Sequence, residues 1–315
     1  MFEDGSAVDE AGFTYALTHP AGPSDGLVIV CPSLTGTPAI LQEWWTDVGP
    51  PIAHARYSTL YPHSFSDDVL RTRARENPPT IRDLARAIVA LVHALDLPHA
   101  TFATGGSMGG MLALEVGLES GAPTHALAIA APAVQTAWGA GWNRIQLEAL
   151  ALGDGSRGLA LARAVGMMTY RTEREFETRF GADAEPPNDR TMASYLEHHG
   201  RRLVERFDSA EYERRVRAMD THDAGRGRGG WREAIAPHAD RITAVGISGD
   251  ALYSAGIVEA WARATGAGFA LMNSIHGHDA FLLEREQMRA IIDAAFTRAV
   301  DAQRTASLAT TALRH

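Results

Sequence analysis

The chain has 315 residues, of which 45% are hydrophobic and 21% charged, and its formal net charge is −9. Such a chain can bury a large core, either as one α/β domain with an insertion or as two domains. The acidic balance argues against non-specific binding to nucleic acid and to anionic membranes.

Two features bear on where the protein works. No apolar run approaches the about 18 residues of a membrane span, and the acidic N-terminus lacks the apolar stretch of a signal peptide. Cys31 is the single cysteine, which rules out an intrachain disulfide and fits a reducing compartment. We therefore expect a cytoplasmic protein that has neither a membrane nor a nucleic acid as partner.

Strand and helix signals alternate through the first part of the chain. Apolar, β-branched runs indicate strands, and apolar residues at helical spacing indicate helices. The predicted elements are a strand at 27–31, a helix at 81–96, a strand at 101–104, a helix over about 108–118 and a strand at 125–131. Strand, helix and strand in this order predict a parallel sheet with right-handed crossovers.

The stretch from 137 to 235 has almost no strand signal and is rich in Arg, Glu and Ala at helical spacing. We interpret it as a helical lid inserted into an α/β core formed by residues 1–136 and 236–315. Beyond it we predict strands at 242–247 and 269–272, a helix over about 284–299 and a frayed tail at 301–315.

The segment Gly105-Gly106-Ser107-Met108-Gly109 fits the pattern G-x-S-x-G. In a nucleophile elbow this pattern makes a sharp turn between a strand and a helix, and the glycines leave room for the chain to reverse. Here it follows an apolar strand and opens a helix, which is the context that the elbow requires. We therefore predict an α/β-hydrolase fold, with a mostly parallel sheet flanked by helices, and Ser107 as the nucleophile of acyl transfer.

A serine nucleophile needs a base, and the base needs a carboxylate that orients it. Asp250 follows a predicted strand, which places it at the carboxyl end of the sheet, where ligand chemistry occurs in such folds. The base follows the next strand, and either His276 or His278 fits; the spacing does not choose between them.

The tetrahedral intermediate also needs donors for its oxyanion. One is the backbone N–H of Met108, the residue after the nucleophile, and the other comes from the loop after an earlier strand. We expect that second donor to be Leu34, in the loop that follows Pro32. We expect no metal site, because His198 and His199 are adjacent on a helix, point in different directions and lack a third ligand.

Several motifs, in one order, resemble those of the homoserine O-acyltransferases, which include the homoserine O-acetyltransferases. The resemblance covers about 27–50 and 101–290. The matching motifs are the elbow through Met111, Leu34-Thr35-Gly36, Trp44-Trp45 with Gly49-Pro50, 158–163, 169–171, 194–196, 206–208, 217–220 and 276–282.

The resemblance implies a role for individual residues. Ser107, Asp250 and His278 match the family's catalytic triad, which selects His278 over His276. Arg163 and Tyr170 match residues associated with binding homoserine, and Asp279 matches the acid that holds the substrate amine. An ordinary salt-bridge network in the lid is the alternative for these last residues.

The resemblance further implies an acyl-CoA-dependent O-acyltransferase. Acetyl-CoA is the expected co-substrate, L-homoserine the acceptor, methionine biosynthesis the pathway and a homodimer the assembly, without a permanently bound cofactor. The chain departs from the family pattern at Tyr57–Pro79, where a glycine-rich segment is missing, and at Pro32-Ser33, where the family has His-Ala. These departures leave open an esterase, another acceptor such as L-serine, or a succinyl donor. A binding module on an inactivated fold is the non-enzymatic alternative.

Overall fold

The computed structural model describes residues 2–6, 12–65, 78–182 and 191–312. Within these ranges, the buried apolar runs form seven strands. The strands are β1 (Phe13–Thr18), β2 (Leu27–Val30), β3 (Ser58–Phe65), β4 (Ala100–Gly106), β5 (His125–Ile129), β6 (Ile242–Ile247) and β7 (Gly268–Met272). They make one sheet in the order β1-β3-β2-β4-β5-β6-β7, in which only β1 is antiparallel to its neighbour. The predicted parallel sheet and the α/β-hydrolase architecture are confirmed.

The described helices are α1 (Thr46–Val48), α2 (Pro51–Arg56), α3 (Ile81–Ala94), α4 (Met108–Glu119), α5 (Ala137–Leu152), α6 (Gly155–Tyr170), α7 (Glu173–Phe180), α8 (Met192–Val204), α9 (Ser209–Asp220), α10 (Trp231–Ile235), α11 (Ala255–Thr265), α12 (Ala280–Leu283) and α13 (Arg285–Ala312). A π-helical turn at Leu41–Trp45 precedes α1, and 3₁₀ turns lie at Ala236–Arg241 and Gly277–Asp279.

Successive side chains along the buried strands point to opposite faces of the sheet, so the core is divided between the two faces. In β2, Leu27 and Ile29 pack with α3 and α4, whereas Val28 and Val30 pack with the π-helical turn and α13. This period of two is what a strand buried on both faces produces. The sheet is thus covered by helices on both sides, and its carboxyl edge is left for the site.

The described part of 137–235 contains helices and turns, apart from one isolated β-bridge between Val134 and Asp223. Local sequence accounts for where its helices begin. Each of α5 to α9 starts after a Thr or Asp whose side chain accepts the N–H three residues later, which satisfies a donor that the helix leaves free. These capping residues are Thr136, Asp154, Thr172, Thr191 and Asp208.

Two expectations differ from the structure. Strands β1 and β3 were not predicted, and β3 lies inside the Tyr57–Pro79 segment that departs from the family pattern; residues 66–77 of that segment are outside the described ranges. The last helix, expected over about 284–299, is longer than expected, because α13 continues to Ala312.

Candidate active site

Ser107 occupies the sharp turn between β4 and α4. Its backbone has φ 60° and ψ −122°, in the left-handed half of conformational space that non-glycine residues rarely adopt. The turn is anchored where the Ser107 N–H donates to the carbonyl of Ile129 at 2.9 Å. Such strain costs about 1–3 kcal/mol and persists where the surrounding structure imposes it. The side chain is therefore held at the carboxyl end of β4, as the elbow pattern predicts.

The glycines around Ser107 are required by close packing. A Cβ on Gly109 would lie 2.6 Å from the carbonyl oxygen of Cys31, and one on Gly106 would lie 2.4 Å from the ring of Phe281. The backbone of α4 thus touches the end of β2 directly. This contact brings the first turn of α4 beside the loop that follows Pro32.

We expect Gly109→Ala to lower the free energy of unfolding by about 1–3 kcal/mol, because the new methyl group meets a backbone carbonyl that cannot easily move. Gly256→Ala is the matched control, since a Cβ at Gly256, in α11, meets nothing within 4 Å. That change should instead stabilise by about 0.4–1 kcal/mol. Urea unfolding of both variants measures the change in the free energy of unfolding, which should be negative for Gly109→Ala and positive for Gly256→Ala. Equal stabilities would contradict the packing argument.

Asp250 and His278, the predicted acid and base, lie at the ends of neighbouring strands. Asp250 follows β6, His278 follows β7, and the His278 Nδ1 is 2.7 Å from the Asp250 Oδ2. The other carboxylate oxygen, Oδ1, accepts the backbone N–H groups of Leu252 at 2.8 Å and Tyr253 at 2.9 Å. Both side chains are buried, so the carboxylate is fixed in orientation and faces the imidazole.

Burial alone would lower the pKa of His278, but the charge of Asp250 and the hydrogen bond to it raise the pKa by more. The net pKa is therefore above the ordinary value. The His278 Nε2 is buried and has no hydrogen-bond partner among the described residues, so it does not bond to Ser107 in this structure. Catalytic hydrogen bonds are often open without substrate. This nitrogen is free to take a proton from a reacting hydroxyl.

The loop after β2 makes a tight turn in which the Gly36 N–H donates to the Ser33 carbonyl at 3.0 Å. Leu34 is buried in this turn, and Met108 is buried at the first position of α4. The N–H groups at the start of a helix have no partner within the helix and carry its positive dipole end. Leu34 and Met108 are thus brought to the same edge of the sheet as Ser107, where an oxyanion would need donors.

Two of the predicted substrate-binding residues form one group with His278, the predicted base. The Arg163 guanidinium lies 5.4 Å from the centre of the Tyr170 ring, and that ring lies 5.8 Å from the ring of His278. Arg163 and Tyr170 stand two turns apart on α6, which allows them to share a face. Burial raises the pKa of Tyr170, so its hydroxyl stays protonated. The Tyr170 ring therefore lies between the Arg163 guanidinium of α6 and the imidazole of His278.

Asp279 is held differently. Its Oδ2 pairs with the Arg171 Nη2 at 3.3 Å, and Arg171 also bonds to Glu175. Glu175 in turn binds the Nδ1 of His276 at 3.0 Å. Asp279 therefore lies in a salt-bridge network with Arg171 and Glu175, of the kind stated above as the alternative, and His276 belongs to the same network. Arg171 was not singled out from the sequence.

No protein-family model matches the chain. A homoserine O-acetyltransferase of Salinibacter ruber is 33% identical, over 84% of this chain and 86% of its own length. The chain belongs to the homoserine O-acetyltransferase family. A member from Clavibacter michiganensis is 35% identical, over 86% of this chain and 77% of its own length. A member from Thermus thermophilus is 40% identical over 76% of this chain, but the match spans only 64% of that relative's length, less than two thirds of it.

Solved structures share the fold with this member of the homoserine O-acetyltransferase family. The Staphylococcus aureus homoserine O-acetyltransferase aligns with a TM-score of 0.75 at 24% identity, covering 93% of this chain and 92% of that one. Esterase E22 aligns with a TM-score of 0.78 at 13% identity, covering 94% and 96%. At these identities the likeness concerns the fold.

In this homoserine O-acetyltransferase homologue, sequence reasoning missed three side chains near the loop after β2. Arg215 of α9 and Arg206 donate to carbonyls of that loop. Tyr61 of β3 is fully buried, and its hydroxyl has no partner among the described residues. Arg206 lies within a family motif and Tyr61 within the segment Tyr57–Pro79 that departs from the family pattern, which were signals for them; Arg215 carried none.

Two features are absent from the described ranges. No helix there is both long enough and apolar enough to cross a membrane. Likewise, those ranges contain no group of three or more His, Cys, Asp or Glu residues arranged to hold a metal ion.

Proposed function

We propose that the protein transfers the acetyl group of acetyl-CoA to the hydroxyl of L-homoserine, through an acyl-serine at Ser107, in methionine biosynthesis. The observation that carries this proposal is the arrangement of Arg163, Tyr170 and His278, which sets a cation for a carboxylate beside the base. Relatives that bear the name homoserine O-acetyltransferase support homoserine as the acceptor and acetyl as the transferred group. An acyl-CoA donor is consistent with the cytoplasmic location expected from the sequence.

In the first half-reaction, the Ser107 Oγ attacks the thioester carbon, and its proton passes to the His278 Nε2. The carbonyl oxygen becomes an oxyanion, and the N–H groups of Leu34 and Met108 are the proposed donors to it. When the intermediate collapses, the bond between carbon and sulfur breaks, and the CoA thiolate takes the proton from His278. Asp250 stabilises the imidazolium through its bond to Nδ1.

In the second half-reaction, the homoserine hydroxyl gives its proton to the His278 Nε2 and attacks the acyl carbon. Collapse breaks the bond to Ser107 Oγ, which takes the proton back, and the ester is released. We assign the substrate carboxylate to Arg163, because a guanidinium binds carboxylates with strong, charge-assisted hydrogen bonds. The ammonium group goes to Asp279, which then shares its carboxylate between the substrate and Arg171.

The test is thiol release by the purified protein with acetyl-CoA, in the presence and absence of L-homoserine, with mass detection of the homoserine ester. We expect release to depend on homoserine. Thiol release that does not rise above the control without homoserine would overturn the proposal. Succinyl-CoA, L-serine and simple esters in parallel reactions identify the alternatives, since ester turnover without an amino-acid acceptor would make the protein an esterase.

We expect Arg163→Met to raise the KM for L-homoserine about 10- to 100-fold, the equivalent of losing one charge-assisted contact. The KM for acetyl-CoA should stay within about twofold, and steady-state kinetics with each substrate varied in turn measure both. Arg157→Met is the matched control, because Arg157 is an exposed arginine of the same helix. If both substrates were affected equally, Arg163 would not be the carboxylate site.

We propose that two copies of the chain associate through the outer face of α5. Trp138, Ile145 and Leu152 recur every seven residues there, and 58%, 49% and 84% of their respective surfaces are exposed. An exposed apolar stripe of this kind marks a protein contact. Light scattering after size exclusion should give twice the chain mass for the wild type, and Ile145→Glu should shift the measured mass towards that of a single chain. A monomeric wild type would contradict this assembly.

A further inference from the structure

The loop after β2 has its carbonyl groups bound by the lid. The Arg215 Nη1 lies 3.3 Å from the Ser33 carbonyl oxygen, 3.2 Å from that of Leu34 and 3.3 Å from that of Gly36. The remaining carbonyl of this turn, that of Thr35, accepts from the Arg206 Nη1 at 3.0 Å. Four consecutive carbonyls are therefore held by two arginines of the lid.

Arg215 is itself tightly held, which allows it to act as a fixed support. Its side chain is only 4% exposed, and its Nε donates to the Glu211 Oε1 at 2.7 Å. The Nη2 donates to the His63 carbonyl at 3.2 Å, and the guanidinium lies 5.2 Å from the centre of the Phe207 ring. Three groups from two segments thus fix the orientation of the guanidinium, whose planar fork suits several acceptors at once.

Peptide geometry connects these carbonyls to the proposed oxyanion donor. A trans peptide is planar, so the C=O of Ser33 and the N–H of Leu34, which belong to the same peptide unit, point in opposite directions. When Arg215 draws the Ser33 carbonyl towards α9, the Leu34 N–H is turned away from α9. Without the guanidinium, the Ser33 carbonyl would keep only the Gly36 N–H of the turn at 3.0 Å, and the orientation of the peptide unit would be less firmly fixed.

We propose that Arg215 is a positioning residue that sets the Leu34 N–H for the oxyanion. The inference rests on the proposed acyl-serine function, of which Leu34 is one oxyanion donor. Because Arg215 belongs to the lid, the oxyanion hole is complete only when α9 is seated on the loop. Acyl transfer is thereby coupled to a lid position that also brings Arg163 to the site.

The experiment measures acylation of Ser107 by p-nitrophenyl acetate, which requires neither acetyl-CoA nor homoserine. Arg215→Met should slow the pre-steady-state burst about 10- to 100-fold, somewhat less than the loss of an oxyanion donor itself. Arg215→Lys, which keeps a buried cation but not the planar fork, should fall between. Arg214→Met is the control, because Arg214 pairs with the same Glu211 but makes no bond to the loop.

A second readout separates positioning from general stability. Methylboronic acid mimics the intermediate, since the Ser107 Oγ adds to boron, its proton passes to His278, and a tetrahedral anion forms. Arg215→Met should raise the dissociation constant of the boronate by the same factor by which it slows the burst. The dissociation constant of L-homoserine should stay unchanged.

Three results would overturn the inference: wild-type burst rates in Arg215→Met or in Arg215→Lys, an equal loss in Arg214→Met, or equal loss of boronate and homoserine binding. A wild type that acylates but does not transfer to homoserine would reject the proposed acceptor alone, and the Arg215 comparison would still decide this inference. A wild type that neither acylates nor binds boronate would reject both.

Discussion

Ser107→Ala should reduce homoserine-dependent CoA release by about 10⁴- to 10⁶-fold, because the change removes the atom that forms the acyl-enzyme. Alanine keeps the Cβ, so the strained turn at φ 60° is retained and the fold should persist. Intact-protein mass spectrometry after mixing with acetyl-CoA should show one added acetyl group on the wild type and none on the variant.

Ser120→Ala is the control for this result. Ser120 follows the last turn of the same helix, α4, where its hydroxyl donates to the Ala122 carbonyl at 2.9 Å, far from the elbow. The rate of homoserine-dependent CoA release by Ser120→Ala should match that of the wild type. An acetylated Ser107→Ala protein would place the nucleophile elsewhere. Unchanged function without any acyl-enzyme would favour the binding module considered from the sequence.

The elements that the sequence predicted well are those whose signal is local. Helix α3 was expected at 81–96 and spans Ile81–Ala94, because its apolar spacing and the capping box of Thr80 with Asp83 lie within one stretch. The elbow was equally readable, since a strand, a glycine-rich turn and a helix follow one another directly. Such features need no knowledge of distant residues.

Strands β1 and β3 show the limit of that approach. They pair with each other across the edge of the sheet, with Phe13 opposite Phe65, and the side chains of β1 alternate poorly between buried and exposed. Their aromatic and β-branched residues carried a weak strand signal. Comparison with the family pattern marked 57–79 only as a departure, so the strand inside it was missed.

The site divides in the same way. The side chains at the strand ends were predicted from the elbow pattern, the order of the strands and the family motifs. The contacts that hold those side chains depend on tertiary packing and could not be derived. Arg215 meets the Ser33 carbonyl 182 positions away in the chain, and His276 meets Glu175 101 positions away. Contacts between residues so far apart in the chain leave no periodic pattern in the sequence from which they could be predicted.

Asp250→Asn should lower the rate of acyl transfer about 10⁴-fold, through the tautomer of His278. Oδ1 of Asp250 accepts the N–H groups of Leu252 and Tyr253, so the amide oxygen of an asparagine must occupy that position. The amide nitrogen then faces the His278 Nδ1 and donates to it. The ring proton moves to Nε2, which can no longer accept a proton from Ser107.

The same variant should also shift the pH dependence. His278 must be neutral to act as base, so activity of the wild type rises with pH through the raised pKa of His278. Asparagine removes both the charge and the carboxylate hydrogen bond, and burial then lowers the pKa of His278. The acidic limb of the pH profile of kcat/KM for the acyl donor should therefore move to lower pH, while the plateau of that profile falls.

Asp240→Asn is the matched control, because Asp240 is an exposed carboxylate just before β6, and neither the limb nor the plateau should change. An acidic limb that stays in place in Asp250→Asn would show that the limb reports another group. A limb that moves while the plateau stays high would show that Asp250 tunes His278 without controlling its tautomer. The two readouts together therefore separate the charge of Asp250 from its orienting role.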